Sequence, residues 1–198
     1  QDKLKFNKSI TFFVGENGSG KSTLLEALAV AHGFKPEGGT KNYDFSTYDN
    51  HSELCDAIKI QKSHRKERWG YFLRAESFYN VATQEEEYAD EAHPSEKYHE
   101  QSHGESFLAL AQKHLQPNSL YFFDEPEAAL SPQRQLTLLM LIYRCAQAGS
   151  QFFIVTHSPI LLGIPDADIY CFDDGSIHLC EYEETDSYAI TEMFINNR

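Results

Sequence analysis

Near the start of the chain, GENGSGKS runs from Gly15 to Ser22 with the spacing G-x-x-x-x-G-K-[ST]. Glycines 15, 18 and 20 let backbone amides wrap an anion, and a helix starting there adds the positive end of its dipole. Phosphate is the ligand this arrangement suits. Asn17 and Ser19 complete the loop, Lys21 reaches the β and γ phosphates of a nucleotide, Ser22 offers a hydroxyl to Mg2+, and Thr23 adds a contact to the α phosphate. The β-forming ITFFV before the loop and the helix-like TLLEALAVAH after it supply the context that separates it from a chance glycine turn.

Two more stretches could act on such a ligand. SLYFF is an apolar run that ends in Asp124 and Glu125. An aspartate at the end of a buried strand can hold the metal, usually through water, and the next acid can orient and deprotonate an attacking water. Acids also end strands merely because the chain re-enters solvent; downstream of a phosphate loop, two in a row fit what hydrolysis requires. In IVTHSP, His157 lies just past another apolar run, where an imidazole can donate to a γ phosphate; eight other histidines have no such placement.

The elements that must hold these residues read as strands alternating with helices. Strands are expected at 10–14, 69–74, 119–123 and 151–155, with a terminal hairpin from DIYCF, a DDGS turn and IHLCEY. Helices are expected from 23, from Ser52 with Leu54, Ala57, Ile58 and Gln61 in step, over 104–115, from Pro132 to about Ala148 with Gly149 as its stop, and over 188–195. Residues 33–51 read as loop, and the acidic segment 83–100 as a solvated insert or exposed helix. Strands apolar throughout, between helices, indicate an α/β fold with a mostly parallel sheet buried on both faces. The 198 residues suit one domain, 1–198, with an inserted helical subdomain over about 45–115.

A net charge of -13 argues against coating nucleic acid by charge alone; the one basic cluster, KIQKSHRKER over 59–68, is better read as a solvated helix face. Nothing approaches the roughly 20 apolar residues of a membrane helix, and QDKLKFNKSI is no signal peptide. Cys55, Cys145, Cys171 and Cys180 form no C-x-x-C pair, so free thiols in a reducing, cytoplasmic setting are expected rather than disulfides or zinc. The chain opens on Gln1 rather than Met, which leaves residues upstream open.

EQSHGES, 100–106, precedes the apolar run of the helix over 104–115. Ser102 and Glu105 have the S-x-x-E spacing of a capping box, which by itself would explain both residues.

Taken in order, GENGSGKST, QSHGES, FFDEPEAALSP and VTHSP resemble the Walker A, signature, Walker B with D-loop, and H-switch motifs of ABC-type ATPases. DEPE and THSP are more similar to the soluble branch, the SMC-like, RecF-like and OLD-like ATPases often labelled bacterial AAA family proteins, than to transporter subunits. The resemblance implies a P-loop fold, ATP and Mg2+ as ligands, and a homodimer in which Ser102 and Gly104 close over the nucleotide held by the other chain. Ala129, Leu130 and Ser131 match the D-loop at the dimer seam. Around Ser102 and Gly104 the chain departs from the L-S-G-G-Q pattern, with His103 either adding a proton-dependent contact or filling space. No Q-loop glutamine is evident: Glu76 is the stand-in, Gln84 the weaker one. Phe6 and Phe34 could stack on adenine, although core positions suit both better. The implied function is ATP hydrolysis powering or gating a soluble repair or defence type complex with an unidentified partner protein. The rival readings are a membrane transporter's ATPase subunit and a slow nucleotide-gated switch; a P-loop kinase is more distant.

Overall fold

The computed structural model describes residues 3–40, 54–62, 69–74, 103–173 and 175–197. Ser102, Glu76, Gln84 and most of 45–115 lie outside the described residues, and so do the capping of the helix by Ser102 and the acidic insert.

Among the described residues, seven strands form one sheet in the order β2-β3-β4-β5-β1-β6-β7. The central five, β3 (Gly70–Arg74), β4 (Leu120–Asp124), β5 (Gln151–Val155), β1 (Ile10–Gly15) and β6 (Ala167–Asp173), are parallel to their neighbours. The two outermost, β2 (Gly39–Thr40) and β7 (Ser176–Cys180), pair antiparallel. The mostly parallel α/β class is as the apolar strands required. Aromatic side chains directly opposite each other tie the middle together: Tyr121 stacks on Phe152 with centroids 4.7 Å apart and Phe122 on Phe153 at 5.3 Å, one pair on each face. Such pairs add roughly 0.5–1.5 kcal/mol beyond burial.

On one face, α1 (Lys21–Ala31) buries Leu25, Leu28 and Ala29 against Phe13, Phe122, Phe153 and Phe172. On the other, α3 (His103–His114), α4 (Pro132–Gln147) and the short α5 (Pro159–Leu162) pack Phe107, Leu110, Leu138, Ile142 and Leu161 over Tyr121, Phe123 and Phe152. A last helix, α6 (Asp186–Asn196), is capped by Thr185, whose hydroxyl accepts from the amide of Tyr188. Phe34 is core, and Phe6 packs edge-on against Phe13, Phe153 and Tyr170, so both adenine-stacking candidates are occupied in the apolar cluster.

Three expectations need correction. The helix from Ser52 is, among the described residues, the four-residue α2 (Leu54–Ala57); Ile58 and Ile60, two apart, both pack on the core, the spacing of extended chain. The loop over 33–51 contains β2, which extends the sheet after Gly38 and Gly39 turn the chain at φ of 101° and 90°. Cys171 and Cys180 form a disulfide across the hairpin, and Cys55 and Cys145 are not disulfide-bonded. Antiparallel register makes neighbours of cysteines nine apart in sequence, which a search for close cysteine pairs passes over. This bond also removes the argument from thiols to a reducing compartment. Among the described residues, no helix is long and apolar enough to cross a membrane.

Candidate functional site

The carboxyl ends of β1, β4 and β5 lie side by side, and this edge of an open α/β sheet is where ligands bind. Gly15 ends β1 at φ 137°, and a Cβ there would come within 2.6 Å of the Phe172 carbonyl oxygen. Gly18 and Gly20 follow at φ 81° and 94°, a left-handed conformation that glycine adopts without strain. Asn17, Gly18, Ser19 and Thr23 are exposed. Lys21, by contrast, is only 4% exposed, and its ammonium donates to the carbonyls of Gly15 at 2.8 Å and Glu16 at 2.7 Å. Burial pulls its pKa down, against the opposing pull of Glu125 and Asp124.

Behind the lysine, the Ser22 hydroxyl donates to Asp124 Oδ1 at 2.9 Å, joining the start of α1 to the end of β4. Glu125 is next, at φ 49°, its amide continuing the ladder onto the Val155 carbonyl. That positive φ is uncommon for a residue other than glycine. His157 Nε2 stands 3.8 Å from Glu125 Oε1, with both side chains nearly half exposed. The five residues Lys21, Ser22, Asp124, Glu125 and His157 therefore converge from three separate stretches of sequence.

Three further residues belong to this edge and were assigned no role from sequence. Arg74 ends β3 in register with Asp124; its Nη1 donates to Glu26 Oε2 at 2.8 Å and its Nε lies 3.6 Å from Asp124 Oδ2. Glu26 sits one helical turn beyond Ser22, so the Arg74 and Glu26 pair braces the aspartate. A basic residue ending a buried strand was the available signal. Glu127 accepts from the backbone amide of His157 at 2.6 Å, while its other oxygen is buried without a hydrogen bond. Burial raises its pKa, partly offset by that hydrogen bond. Its place in DEPE was legible; its reach across to the next strand was not.

Ser158 fixes the chain after His157. Its hydroxyl accepts from the amides of Ile160 and Leu161, capping α5, and donates to Gln135 Oε1 at 2.6 Å; Gln135 in turn donates to the Leu130 carbonyl. The loop after β4 and the loop after β5 are thus one connected unit.

Gly104, at the start of α3, is buried inside the chain. A Cβ there would meet the Ala129 carbonyl oxygen at 2.8 Å and Arg134 Nη1 at 2.7 Å. Glu105 pairs with Arg134 at 2.9 Å. The close approach of α3 to the 3-10 turn Pro126–Ala129 therefore accounts for a glycine here within a single chain.

An oxygen-rich pair, a buried lysine and a glycine-lined loop suit a phosphorylated ligand with a hard cation. No curated protein matches the sequence. Among solved structures, an ATP-binding cassette of an ABC transporter in its ADP conformation has a TM-score of 0.51 at 20% identity, covering 98% of this chain and 91% of that one. That likeness is one of fold. The SMC head domain from Thermotoga maritima gives a TM-score of 0.48 at 15% identity, over 89% of this chain and 91% of that one. An Smc head domain with a coiled coil and joint from Pyrococcus yayanosii is 26% identical over 48% of this chain, with a TM-score of 0.37; this chain spans 19% of its length. A family model described as an AAA domain, AAA_23, matches residues 1–142. That match covers most of the chain, which belongs to the AAA domain family AAA_23.

Proposed function

We propose that this chain binds ATP with Mg2+ on Gly15–Thr23 and hydrolyses it in a head-to-tail pair of chains that closes on the nucleotide. The observation that carries the reading is the Ser22 to Asp124 hydrogen bond, which joins residues 102 apart beside a lysine held under a glycine-rich loop. Ser22 Oγ and Asp124 Oδ1 are hard oxygen donors of the kind Mg2+ takes. Bound there, the ion would offset charge on the phosphates.

Lys21 supplies a charged donor to the β and γ phosphates, and loop amides supply the rest. Glu125 orients the water and takes its proton; its positive φ fixes the carboxylate's approach at the strand end. His157, beside Glu125, donates to the γ phosphate and so couples its presence to closure. Glu127 and Ser158 position His157 through the backbone on either side. Ser102 and Gly104 of a second chain complete the site at the helix start. Closure is favoured only to the extent that ATP binds the pair better than the separate chains. An effector protein, in a soluble repair or defence type complex, receives the motion.

Hydrolysis tests the reading directly. With ATP and Mg2+, wild type should release phosphate, Glu125→Gln should be slower by about 10²- to 10⁴-fold while still binding ATP, and Lys21→Ala should lose binding. Absence of ATP binding by the wild type, or an undiminished rate in Glu125→Gln, would overturn it.

A further inference from the structure

On the strand next to β1, where Phe172 pairs with Gly15, the hairpin of β6 and β7 carries four potential metal ligands on one face. The register sets Cys171 opposite His178, Ile169 opposite Cys180, and Asp173 opposite Ser176. Alternation along each strand therefore puts Cys171, Asp173, His178 and Cys180 on the same side. It is the side of Ile169 and the core beneath α4 and α5, where Cys171 is buried and Cys180 packs at the margin. Sγ of Cys171, a carboxylate oxygen of Asp173 and a ring nitrogen of His178 all lie within 4.8 Å of one another, and Cys180 Sγ is bonded to Cys171 Sγ.

We infer that this hairpin is a redox-gated site for a borderline-soft divalent cation of the zinc class, with Cys171, Cys180, His178 and Asp173 as its ligands. Two thiolates, an imidazole and a carboxylate are the donor types Zn2+ takes in a tetrahedral site, at about 2.3 Å from sulfur and about 2.0–2.2 Å from nitrogen and oxygen. Those lengths set neighbouring donors roughly 3.3–3.8 Å apart, so a spread within 4.8 Å closes onto one ion with small side-chain rotations. A hard cation such as Mg2+ has no use for the sulfurs. The metal and the disulfide need the same two sulfurs and exclude each other. An external dithiol opens the bond by thiol–disulfide exchange: two electrons and two protons pass to the cysteines and the dithiol leaves as a disulfide. Binding of Zn2+ then displaces the two thiol protons.

The test uses the nucleotide-free chain in excess Mg2+, which keeps transition metals off Ser22 and Asp124. After reduction with a dithiol and its removal under anaerobic conditions, the protein is titrated with Zn2+ by competition with a chromophoric chelator, and with Co2+ by absorbance. One ion per chain is expected, with a thiolate-to-cobalt charge-transfer band and the visible bands of a tetrahedral ion. The oxidised protein should bind neither ion. His178 and Asp173 are exposed, so His178→Ala and Asp173→Asn retain the fold; His178→Ala should weaken binding at least about 10-fold. The band should vanish in Cys171→Ser with Cys180→Ser and persist in Cys55→Ser with Cys145→Ser. Equal affinity of reduced wild type and His178→Ala, or a band that survives loss of Cys171 and Cys180, would overturn the assignment.

Discussion

Glu127 spends one carboxylate oxygen on the amide of His157 and buries the other without a partner, so its ionised form is costly and its pKa is raised. A raised folded value means the protonated form favours the fold; that contribution is full below the ordinary value of 4.5 and is lost as pH climbs through the folded one. Glu127→Gln keeps an acceptor and removes the titration. Its stability relative to wild type should therefore grow between about pH 4.5 and neutrality, read from thermal melts; a pH-independent difference would contradict this. Lys21 carries the opposite sign, its pKa lowered by burial. Phosphate oxygens should restore its charge, so ATP binding in the alkaline range below 10.5 should take up protons, detected as a buffer-dependent binding enthalpy that Lys21→Met abolishes. Proton release would count against the lysine's role. At this scale Lys21, Ser22, Asp124, Glu125 and His157 were legible because their spacing and strand-end positions are local features. Arg74 and Glu127 were not, because their partners are set by strand order, which the sequence of a single strand does not reveal.

The elements hold these residues by close approaches as well as by ion pairs. At Gly104, the backbone oxygen of Ala129 would lie 2.8 Å from an added Cβ, and a backbone atom cannot swing aside as the end of Arg134 can. Gly104→Ala should push α3 off the turn after β4 and cost roughly 1–3 kcal/mol in chemical denaturation, the range of overpacking changes. An unchanged midpoint would contradict this packing. Strands of the parallel centre were readable from apolar runs such as YFF and QFFIV, and α4 from Pro132 and Gly149. The helix expected after Ser52 is present over Leu54–Ala57 but shorter than its spacing suggested, because Ile58 and Ile60, spaced as in extended chain, both pack on the core. The two-residue β2 offered no periodicity at all; its edge pairing with β3 makes it a strand.

At the largest scale, the described residues form one sheet with cores on both faces, in a chain of net charge -13, with the candidate phosphate site at the carboxyl ends of its strands. Nothing in that arrangement requires a second copy for the five converging residues to meet. The proposed second copy would close over Glu125 and His157, which are nearly half exposed. The most direct measurement of the account is the solution mass of Glu125→Gln, 22.7 kDa per chain, with and without ATP and Mg2+. A mass that doubles only when both are present, and not in Lys21→Ala, is the predicted result; a single-chain mass under saturating ATP and Mg2+ would contradict a site completed by two chains.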